Sequence, residues 1–166
     1  MFMAKAANDK TNAMRMLDRA KVPYTVHEYD TADGLIDAVH SAQKMGLDPK
    51  MVYKTLVTRG AGQTFYVFVI PAEAELDLKA AARAVGEKSV AMLHVAELLG
   101  ITGYIRGGCS PVGMKKLFRT TIDASCLGLE RMAVSGGKIG RMVELRPADL
   151  IAVTRAQTAD ILMHHA

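Results

Sequence analysis

The sequence predicts a mixed α/β fold in which a barrel-like mixed β-sheet is flanked by helices. Helical and β-rich segments alternate irregularly along the 166 residues, and two of the β-rich runs look like a hairpin. This pattern favours a mixed sheet or a partly closed barrel over a doubly wound parallel sheet. The length suits one domain over residues 1–166, and we expect flexible tails at 1–9 and 160–166.

The first third of the chain is predicted to hold two helices and one strand. Thr11 is a good N-cap for a helix whose apolar residues recur at helical spacing, and Pro23 ends that helix. Residues 24–29 alternate in character, as a strand does. A second helix is predicted from Asp33 or Gly34 to Gly46, because apolar residues recur there at helical spacing.

The middle of the chain is predicted to begin with the hairpin. The β-rich runs 52–58 and 65–70 are separated by a glycine-containing segment of five residues or so, which favours a hairpin connection. Asp77 is placed to cap a helix over 78–85 that ends at Gly86. Two shorter elements are then predicted, a strand over 89–93 and a helix over 94–99 that ends at Gly100.

The last third is predicted to be mainly β. A segment rich in glycine and bounded by proline, residues 102–113, separates it from the preceding helix. The predicted elements after this segment are strands over 117–123, 130–134 and 141–145 and a terminal helical turn over 147–151.

Composition excludes several classes of protein. Half of the residues are apolar and 23% are charged, which is ordinary for a soluble globular protein and too apolar for a disordered one. The longest apolar runs fall far short of the roughly 20 residues that cross a bilayer. The first residues lack the apolar core of a secretory signal, and two cysteines make no disulfide framework. We therefore expect a cytosolic protein with no membrane partner.

Lys54 and Thr55 stand in the middle of an apolar strand. Because apolar residues flank Lys54 on both faces of that strand, the strand is predicted to be central and largely buried. A buried lysine costs free energy unless it pairs or faces a cleft, and loss of solvent lowers its pKa. Lys54 is thus a candidate for gripping a substrate, and the alternative is that it reaches solvent from a strand end.

The turn over 107–111, Gly-Gly-Cys-Ser-Pro, is a second candidate site. Glycines let the backbone approach a ligand closely, and consecutive N–H groups can bind a developing oxyanion. A tight connection between two elements is the simpler interpretation. Residues 135–138, Ser-Gly-Gly-Lys, are most simply a hairpin turn.

The cysteines and histidines do not form a recognisable reactive site. Cys109 is expected to be a small buried apolar side chain and not a nucleophile. His94 and Glu97 lie three residues apart on a predicted helix, but no second pair has the spacing of metal ligands. We therefore predict neither a metal nor a cofactor.

Positive charge is concentrated between residues 106 and 146. This stretch has eight basic and three acidic residues, a net of +5, whereas the whole chain carries +4. The asymmetry predicts an anionic partner for this half of the chain, and the alternative is a solvated face with counterions. The absence of Trp and the few aromatic residues argue against a platform for stacking single-stranded bases.

Four motifs stand in order along the chain. They are Val52-Tyr53-Lys54-Thr55-Leu56, Leu76-Asp77-Leu78-Lys79, the segment 103–113 with its Gly107-Gly108 pair, and Ser135-Gly136-Gly137-Lys138-Ile139-Gly140. In this order and at this spacing they resemble the YbaK/EbsC family of free-standing trans-editing enzymes, which are similar to the editing domain of bacterial prolyl-tRNA synthetases. The resemblance extends over residues 14–150.

The resemblance implies a barrel-like mixed sheet flanked by helices and a deacylase that acts on mischarged tRNA(Pro). Cysteine is the first candidate for the amino acid removed, and prolyl-tRNA synthetase is a second candidate partner. The resemblance also implies that Lys54 is the functional lysine and that the main chain of Gly107 contacts the scissile ester. The implied substrate-binding residues are Tyr29, Thr55, Gly108 and Ser135.

The chain departs from the family pattern at two places. Met142 stands where YbaK-like members carry an acid suited to the α-ammonium of the substrate. Residues 29–39 align poorly and lack the aromatic residue that precedes the second helix. Three alternatives therefore stay open: removal of alanine or another small amino acid, attack by water or by the substrate's own thiol, and a non-catalytic module that binds tRNA or a synthetase.

Overall fold

The computed structural model describes residues 9–164, so most of the expected N-terminal tail and residues 165–166 lie outside the described residues. Within that range there are five α-helices, namely α1 (Asn12–Arg19), α2 (Ala38–Met45), α3 (Leu78–Val85), α4 (Val95–Thr102) and α5 (Pro147–Thr154). Two short 3₁₀ helices lie at Pro49–Met51 and Ala124–Gly128. None of the helices in residues 9–164 has the length and apolar character needed to cross a membrane.

Eight strands are present in the described residues. They are β1 (Thr25–Glu28), β2 (Tyr53–Arg59), β3 (Phe65–Pro71), β4 (Ala91–Met92), β5 (Arg119–Asp123), β6 (Met132–Lys138), β7 (Arg141–Leu145) and β8 (Gln157–Ala159). The first five and β7 overlap the predicted strands closely, and the predicted hairpin is formed by β2 and β3.

The strands form two sheets. The larger has the order β4-β2-β3-β5-β8, in which β2 is antiparallel to its neighbours and β5 is parallel to both β3 and β8. The smaller is antiparallel with the order β1-β7-β6. A parallel bridge between Val52 and Ala133 connects the two sheets. The predicted mixed α/β class is therefore confirmed, but over residues 9–164 the strands make two sheets and do not close into a barrel.

Burial of both faces of strand β3 explains why its sequence is continuously apolar. Val67 and Val69 belong to the main hydrophobic core, which also takes residues from α1, β6, β7 and α5. Tyr66, Phe68 and Ile70, on the opposite face, pack in a second core with the alanines of α3. A strand that is buried on both faces shows no alternation of apolar and polar residues.

Helix α2 begins later than predicted. The Asp37 side chain accepts a hydrogen bond from the N–H of His40, which makes Asp37 the N-cap in place of Asp33 or Gly34. Gly46 adopts a left-handed conformation at the other end, as expected for a residue that terminates a helix. Residues 29–37 are consequently an irregular segment without helix or strand.

Two further boundaries differ from the prediction. Helix α4 continues through Gly100 and ends at Gly103, which has a left-handed φ of 88°. Strand β6 continues through the Ser-Gly-Gly-Lys segment, with a register irregularity between Ser135 and Lys138. The prediction that 135–138 is a hairpin turn is therefore wrong, because the chain reverses after Lys138. Glycine at these positions misled the prediction, since it is compatible with both turns and bulges.

The C-terminal segment packs on the domain further than predicted. Strand β8 was not predicted, and beyond it Ile161 is fully buried. The N–H of Met163 donates to the carbonyl of Glu75, and Leu162 bridges to Leu76. Residues 161–163 therefore pack against the body of the domain.

Asp123 holds this C-terminal segment in place, and its loss should destabilise the protein. Its buried carboxylate accepts hydrogen bonds from the N–H groups of Ile161 and Ser125, both at 3.1 Å. We expect Asp123→Ala to lower the free energy of unfolding by about 1 to 3 kcal/mol, because buried N–H groups lose their acceptor. Urea denaturation measures this change.

Asp160→Ala is the matched control. Among the described residues Asp160 pairs with His164 alone, at the surface, where both side chains are largely exposed, so little change in stability is expected. Equal losses for Asp123→Ala and Asp160→Ala would contradict the role given to Asp123.

Candidate active site

A cavity of about 790 Å³ is lined by residues from both sheets, from α2 and from the glycine turn after α4. Five of the predicted site residues line it together: Tyr29, Lys54, Thr55, Gly107 and Ser135. The other lining residues are Gly34, Ile36, Asp37, Ala38, Ser41, Tyr53, Leu56, Arg106, Cys109 and Met142. Residues that are far apart in the sequence therefore converge on one concave site, which is the usual setting of an active site.

The edge of β2 explains how both Lys54 and Thr55 reach the cavity. Strand β4 pairs with β2 only at Thr58 and Arg59, so β4 does not extend alongside the first residues of β2. Successive side chains of a strand point to opposite faces. Because Lys54 and Thr55 both line the cavity, the cavity follows this edge of the strand. The prediction of a central strand is confirmed by the sheet order, and Lys54 stands where β2 extends beyond the end of β4.

Lys54 is half-buried and carries a perturbed ammonium group. Burial lowers the pKa of Lys54, and the carboxylates of Glu75 and Asp37 raise it by a smaller amount. The neighbouring Thr55 has a buried hydroxyl oxygen with no hydrogen-bond partner among the described residues. A buried polar atom without a partner is costly, so Thr55 has a hydroxyl that a ligand can satisfy.

Gly107 adopts a conformation that suits glycine. Its φ is 85°, and a Cβ built on it would lie 2.7 Å from Cδ1 of Ile36. Its own N–H has no acceptor among residues 9–164. The turn thus brings main chain, without any side chain, to the wall of the cavity.

Gly108 is not among the residues that line the cavity, and its role in substrate binding stays a prediction. Its N–H donates to the carbonyl of Ile105 at 3.0 Å and so is already satisfied. A Cβ on Gly108 would lie 2.9 Å from the backbone nitrogen of Ile139. Gly108 therefore allows the glycine turn to pack directly on the turn between β6 and β7.

Tyr29 and Ser135 are held by local hydrogen bonds. The Tyr29 N–H donates to the carbonyl of Gly140 at 2.9 Å, and the ammonium of Lys44 lies 6.0 Å from the centroid of the Tyr29 ring. The hydroxyl of Ser135 accepts from the N–H of Gly137 at 3.2 Å. The Tyr29 backbone and the Ser135 hydroxyl therefore both have partners within the fold.

Cys109 lines the cavity, but the protonation state of its thiol does not suit a nucleophile. It is buried, and loss of solvent raises its pKa to about 11. The thiolate is the nucleophilic form, so very little of it exists near neutral pH. In residues 9–164 no group of three His, Cys, Asp or Glu side chains is placed to hold a metal.

Sequence reasoning missed three polar or bulky residues of the cavity. Asp37 and Ile36 were assigned to the interior of a helix, and only the position of the true N-cap brings them to the wall. Arg106 precedes the glycine turn and was counted only as part of the basic segment. The position of Arg106 next to Gly107 was the sequence signal that could have identified it as a cavity residue.

Much of the basic charge between residues 106 and 146 is already used within the fold. Arg141 is buried and pairs with Asp9 and Glu28. Arg131 pairs with Glu144, and Arg119 donates to backbone carbonyls. The other basic residues of this stretch are exposed, namely Arg106, Lys115, Lys116, Lys138 and Arg146. Of these, Lys115 donates to the carbonyl of Gly100 and Lys138 lies 3.6 Å from Asp9, and all five keep side chains that an anionic partner can reach.

Comparison with known proteins identifies the family. Residues 35–153 match the model of the aminoacyl-tRNA editing domain. The chain is also 43% identical over 157 residues to a protein of Enterococcus faecalis named "Putative Cys-tRNA(Pro)/Cys-tRNA(Cys) deacylase EbsC", with 95% of this chain and 96% of the relative covered. The chain therefore belongs to the aminoacyl-tRNA editing domain family, as its four motifs predict.

Solved structures show the same fold. One is described as "a putative trans-editing enzyme for prolyl tRNA synthetase"; it is 28% identical, has a TM-score of 0.77, and the match covers 85% of this chain and 87% of that one. The hypothetical protein APE2540 matches with a TM-score of 0.84 over 92% of this chain and all of its own, at 20% identity. This second likeness concerns the fold alone.

The pKa of Lys54 can be measured directly and should lie below the ordinary lysine value. Since the Asp37 carboxylate raises this pKa, we expect Asp37→Asn to lower it further. NMR titration of the lysine side-chain signals measures the change. Asp33→Asn is the control, because Asp33 pairs with Lys44 and does not line the cavity. A rise of the Lys54 pKa in Asp37→Asn would contradict the described electrostatics.

Proposed function

We propose that the protein is a trans-editing deacylase that removes a wrongly attached amino acid from tRNA(Pro), with cysteine as the first candidate. The observation that carries this proposal is the cavity in which Lys54 and Gly107 meet with Tyr29, Thr55 and Ser135. The family and the deacylase name of the Enterococcus faecalis relative support it. The reaction protects the accuracy of translation, because it converts mischarged tRNA into uncharged tRNA.

Lys54 and Arg106 suit the nucleic-acid end of this substrate. The scissile ester joins the amino acid to a ribose that is followed by phosphates. Both cationic side chains line the cavity, and cations that bind phosphate or ribose oxygens hold the substrate in position. Part of the rate enhancement would come from this positioning.

Gly107 suits the ester itself. Its N–H has no acceptor within the described residues, and a backbone N–H can hydrogen-bond the oxyanion that forms when the carbonyl is attacked. The attacking group is either water or, for a cysteinyl ester, the thiol of the substrate. In both cases the ester C–O bond breaks and the ribose hydroxyl leaves with a proton.

A second function in the same cavity is removal of alanine or another small amino acid. Met142 favours this alternative, because it places an apolar side chain at a position where YbaK-like members carry an acid. A non-catalytic module that binds tRNA or a synthetase would keep the fold without the reaction. An N–H of Gly107 that has no acceptor within residues 9–164, in the same cavity as Lys54, favours the enzyme over that module.

The test is a deacylation panel with Cys-, Ala-, Pro- and Ser-tRNA(Pro). We expect wild type to hydrolyse Cys-tRNA(Pro) fastest and Lys54→Ala to lose nearly all activity while it keeps its melting temperature. Lys54→Arg retains a cation to higher pH, so the alkaline fall of its residual activity should occur at higher pH than in wild type.

Three results would contradict parts of this account. If the protein hydrolysed none of the four aminoacyl-tRNAs, the proposed deacylase activity would be wrong. Near wild-type turnover of Lys54→Ala would overturn the role of the lysine, and faster hydrolysis of Ala-tRNA(Pro) would establish the alternative substrate.

Gly107→Ala should reduce deacylation by about a hundred- to a thousandfold, the usual cost of losing one oxyanion donor, because a φ of 85° is strained for alanine and relief of that strain turns the N–H away from the ester. The new methyl group would also meet Ile36, so the double variant Gly107→Ala/Ile36→Val, which lacks Cδ1, separates the two effects. The expected rate of the double variant stays low, and that of Ile36→Val alone stays near wild type. Recovery of the rate in the double variant would mean that the glycine only makes room for Ile36.

Binding of tRNA should be weak and should depend steeply on salt, because the exposed basic residues contact phosphates. We expect Lys116→Gln/Lys138→Gln to weaken binding and to reduce the slope of log K against log salt by about one to two. Lys79→Gln/Lys88→Gln removes equal charge from residues outside the 106–146 segment and should change little. The same slope in all three proteins would show that the basic segment is only a solvated surface.

A further inference from the structure

The cavity has one acidic side chain among its described lining residues, Asp37. The other charged groups that line it, Lys54 and Arg106, are cations. An aminoacyl ester has the opposite polarity at its amino-acid end, because its carboxyl group is esterified and its α-ammonium is cationic. A cavity with two cations and one carboxylate therefore offers one favourable place for that ammonium.

The Asp37 carboxylate is held in a fixed position at the start of α2. It accepts the backbone N–H of His40 at 3.0 Å, and its other oxygen lies 2.5 Å from Nδ1 of His40. The backbone hydrogen bond holds the pKa of Asp37 below its usual value, so the group is ionised near neutral pH. A carboxylate has about four acceptor sites, and the Asp37 side chain is 55% exposed. It can therefore accept a further donor.

Met142 makes the neighbouring wall of the cavity unsuitable for binding the ammonium. It lines the same cavity, is only 4% exposed, and packs with Ala42 and with the partly buried Ala38 and Val39 of α2. This part of β7 is therefore an apolar wall next to the first turn of the helix. A cation bound against that wall would lose solvent without gaining a partner, whereas Asp37, directly before Ala38, provides one.

We propose that Asp37 binds the α-ammonium of the aminoacyl ester and so selects esters with a free amino group. This inference rests on the proposed function, and it adds a specificity residue at the N-terminus of α2. Lys54 and Arg106 then hold the nucleotide end of the substrate, and Asp37 holds its amino-acid end. The ester lies between them, within reach of the Gly107 main chain.

Binding of two stable analogues tests the proposal. The first is 3′-cysteinylamido-3′-deoxyadenosine, in which an amide replaces the ester, and the second is the same compound acetylated on its amino group. We expect wild type to bind the first about ten- to a hundredfold more tightly, as for a charge-assisted hydrogen bond. In Asp37→Asn this preference should fall to about twofold or less, as measured by isothermal titration calorimetry.

The substitution is chosen to preserve the fold. Asparagine caps a helix about as well as aspartate, so Asp37→Asn should keep the melting temperature of wild type. Asp33→Asn removes a carboxylate from the same segment but not from the cavity, and it should keep the full preference for the free amino group.

Each result bears on one claim. A wild-type preference that survives in Asp37→Asn, or a wild type that binds neither analogue, would overturn the role of Asp37. Equal weakening of both analogues in Asp37→Asn would also overturn it and assign the residue a purely structural role. The proposed function fails separately, if wild type hydrolyses no mischarged tRNA(Pro) whatever the binding result.

Discussion

The arrangement of the site depends on strand β2, which belongs to one sheet and bridges to the other. Through the pairing of Val52 with Ala133, the start of β2 lies beside β6. Its first residues are left without a neighbour from β4, which pairs only further along. Lys54 and Thr55 therefore lie on a rigid strand and still face a cavity, although a lysine in the middle of a sheet would be too costly. The same bridge brings β6 next to β2, and Ser135 of β6 lines the same cavity.

Close backbone packing completes the cavity. Gly108 allows the glycine turn to rest on the turn between β6 and β7, and Gly107 leaves space for Ile36. Two glycines that look alike in the sequence thus differ, since the Gly108 N–H is bonded within the turn, whereas Gly107 lines the cavity and its N–H has no acceptor among residues 9–164. The segment before α2 closes the remaining side and carries Asp37. Two separate loops, the start of α2 and residues of three strands therefore contribute to one site, and none of them would form it alone.

The sequence predicted the elements whose signals are local. Thr11, Asp77 and Gly46 sit at helix ends where side-chain caps or left-handed glycine are required, and the hairpin of β2 and β3 follows from two apolar runs. The division into two sheets depends on long-range pairing, which periodicity does not encode. Asp37 was missed because Asp33 and Gly34 offer equally good local signals for a helix start. The role of Gly108 stays a prediction, because hydrogen bonding within the turn, and not residue type, decides which N–H is available.

The most direct measurement of the central claim is a crystal structure with 3′-cysteinylamido-3′-deoxyadenosine bound. The account predicts that the analogue occupies the cavity of about 790 Å³, with its carbonyl oxygen within hydrogen-bond distance of the Gly107 N–H and its ribose beside Lys54. A second cavity of about 610 Å³, lined by Asp9, Lys138 and Arg141 among others, shares Tyr29 with the first. An analogue bound there, or one whose carbonyl points away from Gly107, would contradict the account.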